Sequence, residues 1–206
     1  MSAKYPAAPT RPLQRSPGDL VEHTGPVFRI ARTSGDHVLP WNALRGFGWL
    51  PSMRWDPHPE RMREQPQHAV MYAATTVGTA VAEVWQDLRV IDTISGAPVL
   101  IGWTPARPLR LLDLSGDWLV RQGAARSLAH GPQEVCHTWA RAIHDTWPDL
   151  HGLHVDSTMT GTNLVLFEPA ARCVPAAPDL VRPMADPTVV ALLAAIAAEI
   201  GYDLLV

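Results

Sequence analysis

The chain has 206 residues, of which 47% are hydrophobic and 18% are charged, and its formal net charge at pH 7 is -3. This length and composition are typical of one globular domain with its own core, and they exclude an intrinsically disordered chain. No run of lysines and arginines forms a basic stripe, so the sequence predicts no direct binding of nucleic acid.

The N-terminal segment, residues 1–22, is predicted to be a proline-rich arm that is either flexible or held against the surface of the domain. Prolines at positions 6, 9, 12 and 17 disfavour a helix or a strand there. The segment lacks the apolar stretch of a signal peptide, and the chain lacks the roughly 18 to 20 consecutive apolar residues that cross a bilayer. Cys136 and Cys173 lack the CxxC spacing of a metal or redox site. These features predict a protein of the reducing cytoplasm that does not contact a membrane.

A first strand is predicted at residues 27–31, which include β-branched and aromatic side chains. Residues 33–67 contain many glycines and prolines with interleaved tryptophans, and we expect this long loop to form a wall of a cleft. A second strand is predicted at 68–73. Thr75 or Thr76 can then provide the N-cap of a helix that extends to about residue 87.

Strands and helices follow each other without regular alternation in the second half of the chain. The predicted elements there are, in chain order, strands at 98–103 and 109–114, a helix at 132–147, strands at 154–155 and 163–167, a linker at 175–187 and a terminal helix at 187–202. No internal repeat of roughly 20 to 50 residues is present. This order predicts an α+β fold rather than a doubly wound parallel sheet.

Glu83 is the first candidate functional residue, because it interrupts the apolar run AVAEVW at residues 80–85. An ionised carboxylate within an apolar helix is costly unless it has polar partners or faces a water-filled site. The alternative is that Glu83 lies on the solvent-exposed face of the helix beside Gln86 and Asp87. The spacing of apolar residues does not decide between these two interpretations.

Four further residues are candidates for binding a ligand. Arg29 and Arg54 lie in apolar sequence, and a guanidinium group suits a phosphate, although each could instead stack on an aromatic ring or pair with a carboxylate. Tyr72 could stack on a flat ligand or belong to the core. Ser157 lacks a Gly-x-Ser-x-Gly elbow, so a ligand-orienting hydroxyl is favoured over a nucleophile, with local turn hydrogen bonds as the alternative.

Together these residues suggest a site for an anionic nucleotide. No glycine-rich phosphate loop of a known type is present, so such a ligand would be held by side chains. The nine histidines are scattered, and neither an HExxH motif nor a close carboxylate cluster accompanies them. The sequence therefore predicts no metal site.

Four sequence blocks resemble, in their order, the RES domain, which is named for its arginine, glutamate and serine. The blocks are Phe28-Arg29, Arg54-Trp55, the segment from Tyr72 to Glu83, and the segment from Ser157 to Pro169. The likeness extends over about residues 25–172. Met53 stands where the family usually has a glycine before the second arginine, and Ile30 stands where an aromatic residue often follows the first.

The resemblance implies a fold similar to that of ADP-ribosyltransferases, with a split mixed β-sheet and flanking helices around an NAD cleft. It implies catalytic roles for Arg29, Glu83 and Ser157, and NAD+-binding roles for Arg29, Arg54, Tyr72 and Ser157, without a metal ion. The expected organisation is an arm at 1–22, a RES catalytic domain at 23–175, and a linker with a C-terminal helix at 176–206 that packs on the domain.

Proteins similar to this are toxins of bacterial toxin–antitoxin pairs. They degrade NAD+ by phosphorolysis or hydrolysis and arrest growth, or they transfer its ADP-ribose to a macromolecule; a non-catalytic binding module of the same fold is the alternative. The partner that the resemblance implies is an antitoxin with an Xre/Cro-like helix-turn-helix that blocks the cleft. The acceptor, the antitoxin's identity and the choice between a homo-oligomer and a toxin–antitoxin hetero-oligomer stay open.

Overall fold

A mixed β-sheet of eight strands organises residues 4–206, which are the residues that the computed structural model describes. Residues 1–3, the beginning of the predicted arm, lie outside the described residues. The strands are, in chain order, β1 (Leu20–His23), β2 (Val27–Arg32), β3 (Phe47–Gly48), β4 (Arg63–Glu64), β5 (Val70–Ala74), β6 (Val90–Asp92), β7 (Pro98–Trp103), β8 (Leu109–Asp113), β9 (Gly152–Asp156), β10 (Thr162–Phe167), β11 (Leu180–Pro183) and β12 (Asp203–Leu205). The α-helices are α1 (Val77–Val84), α2 (Trp118–Arg121), α3 (Gln133–Thr146) and α4 (Pro187–Ile200).

The strand order in the large sheet is β1-β8-β9-β10-β5-β2-β7-β11. Within the described residues, β8 and β9 run parallel and the other neighbours in this sheet run antiparallel. β3 and β4 form a small separate pair within the long loop, and β6 pairs with β12. The mixed sheet with its flanking helices confirms the predicted α+β class.

The sheet is split between its central strands β2 and β5. These strands pair at one position, Phe28 opposite Ala74, whereas β2 pairs with β7 along its whole length. Where β2 diverges, the long loop supplies the missing partner: the N–H of Arg45 donates to the carbonyl of Val70, and the N–H of Val70 donates back to that of Arg45. The divergence gives the sheet its predicted split and leaves room for a cavity.

Alternate residues of β5 face two different parts of the core. Val70 belongs to a cluster that includes buried side chains of α2 and α3, whereas Met71 and Ala73 belong to a cluster on the opposite face. This alternation is the two-residue period of a strand. A third cluster includes Val81 of α1 and Leu193 of α4. Both faces of the sheet are therefore covered around β5.

Most predicted elements occur within a few residues of their predicted positions. The strands predicted at 27–31, 98–103 and 163–167 correspond to β2, β7 and β10. The helix predicted at 132–147 corresponds to α3, which buries Trp139 and Ile143 as its apolar spacing indicates. The predicted terminal helix is α4, which ends at Ile200 before Gly201 in the left-handed region.

Two predictions are wrong, and both concern edge strands. The predicted linker at 175–187 contains β11, which pairs with β7. Its exposed Arg182 and its Pro183 are tolerated because an edge strand needs hydrogen bonds on one side only. The predicted arm contains β1, which pairs with β8 at the other edge of the sheet.

The rest of the described arm packs on the helical layer. The indole N–H of Trp139 donates to the carbonyl of Pro6 at 3.0 Å, and that of Trp118 donates to the carbonyl of Gln14 at 2.9 Å. Two buried tryptophans thus obtain their hydrogen-bond partners from the arm. No helix within residues 4–206 is long and apolar enough to cross a membrane. The domain boundaries at residues 22 and 175 stay predictions.

A buried carboxylate, Asp56, organises the long loop between β2 and β5. Its side chain is fully buried and accepts hydrogen bonds from the guanidinium of Arg45 at 2.8 Å, from the imidazole of His58 at 2.5 Å and from the backbone N–H groups of Leu50 and His58. Burial alone would raise the pKa of Asp56, but the His58 hydrogen bonds and the charge of Arg45 hold that pKa well below its usual range. The loop is therefore held by an ionised group.

The substitution Asp56→Asn should lower the free energy of unfolding at pH 7 by about 3 kcal/mol, because it removes one partner of a buried ion pair. The pKa of Asp56 is lowered in the folded state, so its contribution is complete above the unfolded pKa of about 3.9 and is lost as the pH falls through the folded pKa. Urea unfolding should therefore show the parent and the variant converging below about pH 4. A difference that stays constant down to low pH, or an equal effect of the exposed control Asp36→Asn, would contradict this role.

Candidate functional site

A cavity of about 880 Å³ lies where the sheet is split. It is lined by residues of β2, β5 and α1 and by the long loop, so the loop forms a cavity wall as predicted. Four of the five predicted site residues line it: Arg29, Arg54, Tyr72 and Glu83. The fifth, Ser157, contacts the cavity through Glu83, to which it is hydrogen-bonded.

Glu83 is presented by α1, whose start is defined by Thr76. The hydroxyl of Thr76 accepts a hydrogen bond from the N–H of Thr79 at 3.1 Å, which is the predicted N-cap interaction. The residues Thr79 to Ala82 are buried, and Glu83 is half-buried at the next position. The interpretation of Glu83 as a solvated surface carboxylate is therefore wrong, since its carboxylate lies at the cavity and has polar partners.

One carboxylate oxygen of Glu83 has two hydrogen-bond donors. Oε1 accepts from the hydroxyl of Ser157 at 2.5 Å and from the carboxamide N–H of Asn163 at 2.6 Å. No residue within 4–206 donates a hydrogen bond to Oε2. The side chain is thus held through one oxygen, while the other has its acceptor capacity free for a ligand.

Ser157 uses the whole hydrogen-bonding capacity of its hydroxyl within the protein. Its Oγ donates to Glu83 and accepts from the backbone N–H groups of Met159 and Thr160 at 2.9 and 3.0 Å. A hydroxyl has one donor and two acceptor sites, so none is left for a ligand. In this geometry Ser157 orients Glu83, and the local turn bonds considered as an alternative are present as well.

The turn that carries Ser157 lies very close to α1. The N–H of Ser157 donates to the carbonyl of Gly161 at 2.9 Å, and Gly161 has a φ of +69°. A Cβ at Gly161 would lie 2.3 Å from the hydroxyl oxygen of Thr79. A glycine is therefore required both for the backbone conformation and for the close approach to the helix.

Asn163 was not assigned a role by the sequence pattern, although it lies in one of the RES-like blocks. It is the second residue of β10 and pairs in register with Ala74, the last residue of β5, just before α1 begins. A polar side chain at the start of an otherwise apolar strand is the signal that points to it. The pairing partner, and hence the contact with Glu83, does not follow from the sequence.

Arg29 is a half-buried cation without a carboxylate partner among the described residues. One guanidinium nitrogen, Nη1, donates to the carbonyl of Trp41 at 3.1 Å, while Nε is buried and has no hydrogen-bond partner in residues 4–206. Burial lowers the pKa of Arg29 from its ordinary value. A charge removed from water is unfavourable unless it is paired with an opposite charge. An anionic ligand in the cavity would supply that partner for Arg29.

Arg54 follows the same pattern in a different part of the cavity. Its Nη1 donates to the carbonyl of Gly131 and lies 3.6 Å from the thiol of Cys136, and it forms no ion pair with a carboxylate of residues 4–206. The next residue, Trp55, is buried and has a φ of 63°, which is uncommon for a bulky side chain. A strained backbone next to a candidate ligand group is typical of functional loops.

Tyr72 has a mostly buried side chain that lines the cavity from β5. Burial, and secondarily the charge of Asp56, raises the pKa of Tyr72 well above its ordinary value. The phenol is therefore neutral at physiological pH. Tyr72 offers the cavity a neutral aromatic side chain, which suits stacking on a flat ligand rather than acid–base chemistry.

Comparisons with known proteins bear on the family and the fold of the chain. The family model described as the RES domain matches residues 26–186. A comparison with curated proteins gives no match. Among solved structures, a chain of the M. tuberculosis MbcT–MbcA toxin–antitoxin complex has a similar fold, with a TM-score of 0.57 and 17% sequence identity. The similarity covers 87% of this chain and 92% of that chain.

We expect Arg29 to bind anions, which inorganic pyrophosphate can test without any assumption about catalysis. Pyrophosphate should raise the melting temperature of the parent protein and have little effect on Arg29→Gln, because the variant lacks the guanidinium. Without ligand, Arg29→Gln should be at least as stable as the parent, since it removes a half-buried charge that has no carboxylate partner among the described residues. Differential scanning fluorimetry measures both quantities.

The matched control is Arg182→Gln, which changes an exposed arginine on β11 outside the cavity. This control should keep the response to pyrophosphate. An undiminished response of Arg29→Gln would show that Arg29 is a structural arginine rather than a ligand group.

Proposed function

The chain is a member of the RES domain family, and we propose that it is the toxin of a toxin–antitoxin pair that cleaves the bond between nicotinamide and ribose in NAD+. The observation that carries this proposal is a single cavity with two kinds of group. Glu83 is held through one oxygen and has the other free, and Arg29 and Arg54 lack carboxylate partners in residues 4–206. NAD+ has both an anionic pyrophosphate and a sugar that becomes cationic on cleavage.

The residue types match the charge changes of the reaction. When the glycosidic bond breaks, its electron pair moves to the nicotinamide nitrogen, and positive charge develops on the ribose as in glycoside cleavage. A carboxylate next to the ribose stabilises that charge, which is the role that we propose for the free oxygen of Glu83. Nicotinamide leaves as a neutral molecule, so its departure requires no general acid.

The arginines and the tyrosine would position the dinucleotide for this step. Arg29 and Arg54 are proposed to bind the pyrophosphate, and Tyr72 to contact the nicotinamide or its ribose. A phosphate ion or a water molecule would then attack the ribose, form the new carbon–oxygen bond and release a proton from the attacking oxygen if it is water. Correct positioning can supply a large share of the rate in such a reaction.

The rim of the cavity supports the proposed antitoxin partner. Five apolar side chains both line the cavity and are exposed to solvent: Leu39 at 42%, Met53 at 38%, Val84 at 47%, Leu88 at 80% and Leu205 at 50%. Exposed apolar side chains around a cleft favour contact with another protein. The structural neighbour described above comes from a toxin–antitoxin complex. We therefore propose that an antitoxin with a helix-turn-helix covers this rim and blocks access to Glu83.

The substitution Glu83→Gln tests the catalytic role of the carboxylate. It keeps the shape of the side chain but removes its charge, so the rate of NAD+ loss should fall by at least about 100-fold. Purified protein is incubated with NAD+ with and without phosphate, and the products are separated by chromatography. A phosphorolytic enzyme requires phosphate, whereas a hydrolytic enzyme does not.

The control is Glu199→Gln, which makes the same change at an exposed position of α4 and should retain full activity. Full activity of Glu83→Gln would refute the role of Glu83. If the parent leaves NAD+ intact in both buffers but labels macromolecules in a lysate containing labelled NAD+, transfer of ADP-ribose is the function. If it does neither, the chain is a binding module.

Asn163 is proposed to be a positioning residue that acts through Glu83. Asn163→Ala should lower kcat by about 10- to 100-fold with little change in KM, because it affects the orientation of Glu83 and not the binding of the pyrophosphate. Asn163 and Ser157 hold the same oxygen. The fold decrease in kcat of the double variant Asn163→Ala/Ser157→Ala should therefore be smaller than the product of the fold decreases of the two single variants. Steady-state kinetics of the three variants provides the measurement. The positioning role would be contradicted if the effects of the two substitutions on kcat multiplied in the double variant, or if Asn163→Ala changed KM alone.

A further inference from the structure

A second cavity, of about 670 Å³, lies away from the cavity that contains Glu83. The two cavities share no lining residue. The second cavity is lined by His68, which precedes β5, by His144 and Asp145 near the end of α3, and by Glu168, which follows β10. These are residues that commonly bind metal ions, and the proposed reaction uses none of them.

Three of these side chains bring potential ligand atoms together. Nε2 of His68 lies 3.8 Å from Oδ1 of Asp145, and Nδ1 of His144 lies 3.4 Å from the same oxygen. The three ligand atoms all lie within 4.8 Å of one another. A tetrahedral ion with bonds of about 2.0 to 2.2 Å separates its ligands by roughly 3.3 to 3.6 Å. Small side-chain rotations would therefore complete the coordination geometry.

The imidazole of His68 is available as a ligand. Its Nε2, the nitrogen nearer to Asp145, makes no hydrogen bond to any residue within 4–206, and its Nδ1 is buried without a partner. The two imidazole rings lie 4.8 Å apart between centroids, with an angle of 31° between their planes.

The position of Asp145 also favours a cation. Asp145 lies in the last turn of α3, where the helix dipole is negative and a carboxylate is unfavourable. Its side chain is 61% exposed, so the cavity is accessible from solvent. A bound cation would offset both the dipole and the charge of the carboxylate.

We propose that His68, His144 and Asp145 bind one divalent transition-metal ion, with Zn²⁺ best suited to two imidazoles and one carboxylate. A water molecule or Glu168 would occupy the remaining coordination position. The ion would connect the turn before β5 to the end of α3. β5 is the strand that carries Tyr72. Its role would be to stabilise this part of the structure, which is independent of the reaction proposed for the first cavity.

The test uses the full-length protein after treatment with a chelator and its removal. Titration with ZnCl2 in a calorimeter should show saturable binding of one ion per chain, and the melting temperature should rise. Asp145→Asn and His68→Asn should each weaken binding by at least about 10-fold, because each removes one of three ligands. His37→Asn, an exposed histidine in the long loop, is the matched control and should bind like the parent.

Asp145 is exposed, so its substitution tests the proposal even if the buried His144 is needed for folding. Absence of saturable binding by the parent would overturn the proposal. Equal binding by Asp145→Asn, His68→Asn and the parent would also overturn it, since the ion would then bind elsewhere.

Discussion

The hydrogen bonds from Ser157 and Asn163 to a single oxygen of Glu83 are the interaction on which the site depends. They join α1 to the β9–β10 hairpin. Without them, a half-buried carboxylate at the end of an apolar helix would be unfavourable. With them, the carboxylate is oriented and keeps one oxygen available. Both donors come from the same hairpin, and its position against α1 requires Gly161 at the closest approach.

The arginines of the long loop and of β2 show how the protein separates structural charges from charges available for binding. Arg45 is paired with buried Asp56 and holds the loop against β5. Arg29 and Arg54 line the same cavity but have no carboxylate partner in the described part of the chain. Leaving two guanidinium groups unpaired costs stability, and the Asp56 network supports the loop that contains one of them. This contrast identifies the arginines that can bind an anion.

Much of the fold follows from local sequence patterns. The β-branched and aromatic residues of β2, the capping residue of α1 and the apolar spacing of α3 each indicate one of these elements. The edge strands β1 and β11 could not be predicted this way, since exposed and proline-containing strands lack the pattern of a buried face. Arg29, Arg54, Tyr72 and Glu83 were identifiable as unusual residues in apolar sequence. The contact of Asn163 with Glu83 depends on strand pairing between distant segments, which no local pattern specifies.

The most direct test of the proposed function is a crystal structure of the Glu83→Gln protein with NAD+, in which slow turnover should preserve the dinucleotide. We expect the pyrophosphate to contact Arg29 and Arg54, and a hydroxyl of the nicotinamide ribose to lie within about 3 Å of the side chain at position 83. Tyr72 should contact the nicotinamide or its ribose. A dinucleotide bound outside the cavity, or bound in the cavity with its nicotinamide ribose far from position 83, would contradict the proposed function.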